Sequence, residues 1–101
     1  MAKLTAITFA ESAISDLENT LAWYTDQQVP EVGKQQVSII IQHVEQLREQ
    51  PEMGRVVPEF NNENLREIVR PPYRIVYRRQ KSKISIVRIW RSERLQKIPT
   101  E

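Results

Sequence analysis

Arginine is the residue type in this chain best placed to do chemistry. Residues 64–101 carry Arg66, Arg70, Arg74, Arg78, Arg79, Lys81, Lys83, Arg88, Arg91, Arg94 and Lys97 against three acids, whereas residues 1–63 carry four basic residues against ten acids. The overall net charge of +2 therefore conceals a polarised molecule. A guanidinium stays charged at physiological pH and grips carboxylates or phosphates in a rigid fork. Such groups suit an anionic partner, either nucleic acid or an acidic protein segment, and they suit charge stabilisation on a phosphate. They are poor proton donors. Other chemistries have little to rest on. With no cysteine and one histidine, His43, no metal-ligand cluster and no thiol nucleophile is available, and no cofactor is expected. Gly33 and Gly54 are the only glycines, too few for a phosphate-cradling loop. His43 lies beside an apolar helical stripe and reads as a helix-surface or half-buried side chain.

The cations need a scaffold, and the same stretch supplies one. Leu65–Val69, Tyr73–Arg78 and Ile84–Trp90 are rich in β-branched and aromatic residues. Pro71-Pro72 cannot donate ladder hydrogen bonds and must fall between strands. Gln80–Lys83 is a polar loop of hairpin length. The pattern predicts an antiparallel three-strand meander. Alternation in the middle strand turns Tyr73, Ile75 and Tyr77 to one face and Arg74, Val76 and Arg78 to the other. Ile84–Trp90 is apolar on both faces and alternation leaves it unoriented.

Upstream, Leu4–Phe9 alternates weakly and suits a short strand. Thr8-Phe9-Ala10-Glu11 matches a capping box. Ala10, Ala13, Ile14, Leu17, Leu21 and Tyr24 follow with helical spacing, which predicts a helix over about Ala10–Gln28. Pro30 opens a second helix, and Val37, Ile40, Ile41, Val44 and Leu47 carry its apolar stripe to about Glu49. Residues 52–63 read as a loop. Each helix must bury its stripe, and the meander is the available surface. The predicted fold is α+β, a two-helix hairpin on one face of a small, mainly antiparallel sheet of about four strands in the order β-α-α-β-β-β. The opposite face is expected to be partly open. Trp90 reads as a core plug beneath the helices, with a semi-exposed anchor as the alternative.

A chain of 101 residues is expected to form one domain, and 40% hydrophobic with 28% charged residues argues against global disorder. No apolar stretch reaches membrane-spanning length, and the N-terminus lacks a signal-peptide core. A cytoplasmic protein without membrane contact is expected.

Several short motifs resemble the RelE/ParE superfamily of bacterial type II toxin–antitoxin toxins. They are P-x-x-G-R-x-V-P-E at Pro51–Glu59, L-R-E at Leu65–Glu67, Y-R-I-V-Y-R at Tyr73–Arg78, the closing I-x-I-V-R-I-W-R-S-E-R, and A-x-x-D-L at Ala13–Leu17. The G-R-x-V-P-E and L-R-E pieces are more similar to the ParE branch. The resemblance implies a plasmid-stabilisation type toxin, neutralised by a cognate antitoxin in a hetero-oligomer. A ParE-like member would inhibit DNA gyrase without being an enzyme. A RelE-like member would cut mRNA on the ribosome. A degenerate, non-toxic antitoxin-binding module is the remaining alternative.

RNA cleavage needs a base, cations at the phosphate and an acid for the leaving oxygen. The resemblance puts Arg74, Arg66 and Arg91 in that role. Ile68 stands where a further cation is expected, and no His or Tyr follows Trp90. Glu59 could in principle be a base, within a motif that reads as structural. The partner-binding reading instead uses Arg66, Arg70, Arg74, Arg78, Arg88, Trp90, Arg91 and Arg94. Glu67, beside arginine-bearing strands, suits a sheet-holding ion pair as well as a partner contact.

Overall fold

The three β-rich segments form the expected meander. In the computed structural model, which describes residues 4–60 and 62–91, they are β3 (Leu65–Arg70), β4 (Tyr73–Arg79) and β5 (Lys83–Arg91). β4 pairs antiparallel with both neighbours. Pro71-Pro72, joined by a cis peptide bond, makes the tight turn between β3 and β4. Before the meander come β1 (Ala6–Phe9), the helices α1 (Glu11–Asp26) and α2 (Pro30–Glu45), a 3-10 turn at Gln46–Arg48, and a two-residue strand β2 (Arg55–Val56).

Among the described residues the sheet has five strands in the order β1-β5-β4-β3-β2. The N-terminal strand joins at an edge, parallel to β5, with Ala6 opposite Lys83 and Phe9 opposite Ile86. β2 extends the other edge from within the stretch expected to be loop. Two residues are too few for alternation to register. The α+β class and the element order match expectation, with this one strand added.

The capping box is not formed. Ala10 is the N-cap of α1 and has no side-chain cap. Thr8 lies in β1 and aims its hydroxyl at the Ile84 carbonyl. The strand runs straight into the helix, and the Ala10 N–H goes to Ile86 O at 2.9 Å. Pairing with β5 takes the place of local capping. α1 ends at Asp26, where Gln28 adopts φ 66° and Val29 N–H closes onto Tyr24 O. Pro30 occupies the first turn of α2 as expected. The helices approach closely at Gly33, where a Cβ would lie 2.9 Å from Tyr24 Cβ.

Tyr73, Ile75 and Tyr77 face the helices and join Ala13, Ile40, Val44 and Leu47 in the main core, as alternation predicts. β5 contributes Ile84, Ile86 and Ile89. Ile86 and Ile89 are three apart and could not share a face of a regular strand. A bulge resolves the conflict. Tyr77 opposes Ile86 while Val76 opposes Arg88, so Val87 is the extra residue. The bulge shifts the parity of β5, which is why its two apolar faces could not be told apart by counting.

The opposite face carries a smaller core of Val57, Leu65 and Val76, with Val87 and Trp90 packed against it. It is thus partly covered, by the chain around Val57. Trp90 sits there, half-buried, and not beneath the helices. Opposite Arg74 and next to the helix-facing Ile89, it has no other direction to point.

Burial pushes the Tyr73 phenol up to about 12 and raises that of Tyr77. The unfolded phenols ionise near 10. The folded state favours the neutral form, so this stabilisation is complete below about pH 10 and is lost as pH rises through the folded value. The urea midpoint should fall steadily between about pH 10 and 12, and Tyr73→Phe should flatten that slope.

Candidate functional site

The Pro51–Glu59 motif is a bracket fastened to β3 and β4. The Tyr77 hydroxyl donates to Pro51 O and accepts from Gly54 N–H, both at 2.9 Å. Gly54 is pressed so close that an added Cβ would lie 2.6 Å from both Glu67 O and the Tyr77 hydroxyl. Only glycine fits without moving backbone. Arg66 on β3 reaches Gly54 O at 3.0 Å and Glu63 O at 3.1 Å. Val57 then enters the smaller core, and Glu59 meets Arg74 at 2.7 Å.

Arg74 is the hub of that face. Its side chain is 5% exposed and contacts two carboxylates, Glu59 and the wholly buried Glu67. Glu67 uses its other oxygen to accept from Arg55 at 2.6 Å. The pairing holds the Glu59 carboxyl below the usual carboxylate range. The Arg74 and Arg88 guanidiniums lie 5.8 Å and 5.0 Å from the Trp90 ring centre. Arg88 in turn forms a two-point pair with Asp16 of α1, both contacts at 2.9 Å. A continuous tie runs from α1 through Arg88, Trp90 and Arg74 to β3 and the bracket. Asp16, Arg55, Glu59 and Tyr77 complete this arrangement; Glu59 was weighed from sequence only as a base, and the other three were not among the sequence-derived site residues. All four sit inside the quoted motifs, which was the available signal.

The other expected site residues are dispersed. Arg70 is half-buried, with Nη1 on Val69 O and Nη2 3.7 Å from Met53 Sδ. Arg78 is exposed. Arg91 reaches the Tyr24 hydroxyl at 3.2 Å and lies 5.7 Å from the Tyr73 ring and 6.0 Å from the Trp23 ring. Arg94 lies outside the described residues. Arg66, Arg74 and Arg91, grouped in the nuclease alternative, do not converge on a common opening. Arg66 holds carbonyls, Arg74 is enclosed, and Arg91 stands on the helix-facing side beside Tyr73. His43 is half-buried, and desolvation, with the nearby Arg70 charge, lowers its pKa.

A cleft of about 460 Å³ opens along β3, lined by Met53, Arg55, Glu67, Ile68, Val69 and Arg70. It exists because β2 pairs only with Arg66 and Glu67 and stops short of Ile68–Arg70. An open strand edge is a ready template for pairing with another chain.

Removing one partner of a buried ion pair leaves the other uncompensated, at a cost of about 3–5 kcal/mol, whereas replacing both by apolar residues is often neutral. Arg74→Ala should therefore lower stability by about 3–5 kcal/mol in urea denaturation, and Arg74→Met combined with Glu67→Leu should recover most of that loss. Any loss of activity in Arg74→Ala would then follow the loss of folded protein.

Comparison with known proteins places this architecture. No curated protein matches the chain by sequence. A solved structure described as the chromosomal ParDE TA system from P. aeruginosa is similar, with TM-score 0.72 and 23% identity over 89% of this chain and 98% of that chain. At that identity the likeness carries the fold. The family described as ParE toxin of type II toxin-antitoxin system, parDE, matches residues 7–96. The bracket, the L-R-E strand and the arginine-bearing β4 all fall inside that span, and the chain belongs to the ParE toxin family.

Proposed function

We propose that this protein is a toxin that binds and inhibits DNA gyrase, held in check by a cognate antitoxin, and that it does not cut RNA. The condition of Arg74 carries this reading. A nuclease cation must reach the scissile phosphate and strengthen its hold as charge develops. Arg74 is enclosed and already neutralised by Glu59 and Glu67. Arg66 is committed to the Glu63 and Gly54 carbonyls. Neither is left to stabilise a transition state, and the pairing with Arg74 lowers the pKa of Glu59, the candidate base, and so weakens it as a proton acceptor. Family membership supports the toxin and its antitoxin partner. The gyrase target goes further and belongs to the cytoplasm, where gyrase works on DNA.

For the antitoxin, the cleft along β3 is the best seat. It offers apolar contacts in Met53 and Val69, an open strand edge, and the positive Arg55 and Arg70. An extended acidic segment matches all three features, through main-chain pairing, apolar contact and charge steering. Arg70 and Arg78 remain as partner-facing positions in this reading.

The test is a gyrase supercoiling assay with purified protein, run beside a ribosome-bound mRNA cleavage assay. Supercoiling should be inhibited, mRNA should stay intact, and added antitoxin should restore supercoiling. Defined mRNA cuts without gyrase inhibition would overturn the proposal. Arg70→Ala should slow association with the antitoxin, and the wild-type association rate should fall as salt rises.

A further inference from the structure

The fold sorts the cations of the C-terminal half. Arg66, Arg74 and Arg88 are engaged as described, and Arg79 pairs with Glu52 at 3.0 Å. Arg78, Lys81 and Lys83 are different. All three are exposed, and their side chains make no hydrogen bond or ion pair with any described residue. They cluster at the turn between β4 and β5. Gln80 N–H closes this turn onto Lys83 O at 2.9 Å. Arg78 opposes Ser85, so Lys83 is its diagonal neighbour on the same face, about 7–8 Å away. Lys81 stands at the apex. No acidic residue occurs anywhere between Glu67 and Glu93.

The chemistry of the turn selects its partner. R-R-Q-K-S-K at Arg78–Lys83 contains no apolar or aromatic side chain. A protein-docking site draws its energy from buried apolar or aromatic anchors, and none is present. A nucleic-acid backbone requires only cations and donors spaced along it, with no base readout. The helices pack on the far side of β4 from Arg78 and so do not cover this face of the turn.

We propose that the β4–β5 turn is a contact for the phosphate backbone of duplex DNA, made by Arg78, Lys81 and Lys83 without sequence preference. The toxin would hold the DNA segment engaged by its target while the rest of its surface holds the enzyme. That setting rests on the gyrase reading, whereas the DNA contact does not, and it is tested on DNA alone.

The experiment measures binding of purified protein to a mixed-sequence duplex by fluorescence anisotropy across a salt series. Three phosphate contacts give a slope of log Kobs against log salt of about −2.7, equivalent to about 40-fold weaker binding between 50 and 200 mM salt. The combined variant Arg78→Gln, Lys81→Gln, Lys83→Gln should flatten the wild-type slope by about that amount. Lys34→Gln, an exposed charge on α2, should leave the slope unchanged. Both variants change surface positions, and thermal melts should confirm that they fold. Absence of duplex binding at 50 mM salt would overturn the proposal, as would an unchanged slope in the triple variant. A triple variant that keeps DNA binding but loses the antitoxin would reassign the turn to an acidic protein. If DNA binding follows the proposal while gyrase is unaffected, the contact stands and the gyrase reading falls.

Discussion

The structure depends on a carboxylate that has no access to water. Glu67 sits in the middle of β3 with its side chain fully buried, and one oxygen meets Arg74 while the other meets Arg55. An isolated charge there would be prohibitively costly, and the geometry answers with two guanidiniums. This requirement fixes the direction of Arg74 from the neighbouring strand. It also holds the exposed Arg55 against β3 and so helps place the short strand β2. Glu59 then completes the coordination of Arg74 from the end of the bracket. The Pro51–Glu59 segment, which has little apolar periodicity, is ordered by this charge cluster together with the Tyr77 hydroxyl and Val57.

The same cluster explains the unequal faces of the sheet. One face is a conventional apolar contact with the helices, through isoleucines, Tyr73 and Tyr77. The other combines three buried aliphatic residues with a line of alternating charge and aromatic surface. Guanidiniums stacked on Trp90 keep their charge while covering its ring. Asp16 anchors the far end of this line to α1, so the two faces are linked around the β5 edge. An arginine at the centre of the sheet has in this way become part of the packing.

The two edges of the sheet are managed differently. Past Phe9, where β1 ends, α1 continues along β5 and its polar groups satisfy the strand: Ser12 donates to Val87 O, and Asp16 accepts from Ile89 N–H at 2.8 Å. This edge is closed to other chains over that stretch. On the opposite side β2 stops after two residues and leaves Ile68–Arg70 without a strand partner there. The proposed seating of an antitoxin strand on β3 rests on this asymmetry.

Local order was legible in the sequence because it rests on periodicity and steric exclusion. The meander, the breaks at Pro71-Pro72 and Gln80–Ser82, both helices and the inward set Tyr73, Ile75 and Tyr77 follow from side-chain alternation and helical spacing alone. The concentration of positive charge after Asn64 was equally plain. Three things required the tertiary structure. The orientation of β5 turns on a bulge at Val87, and a one-residue insertion reverses parity without altering composition. The capping box gave way because Thr8 was claimed by a strand whose partner lies far along the chain. Most of all, the fold decided which arginines are spent internally and which face outward. Arg74 and Arg78 are alike in type and on the same side of one strand, yet one is enclosed between carboxylates and the other exposed. Charge pairing between residues distant in sequence leaves no periodic signature, so only the packed structure separates them.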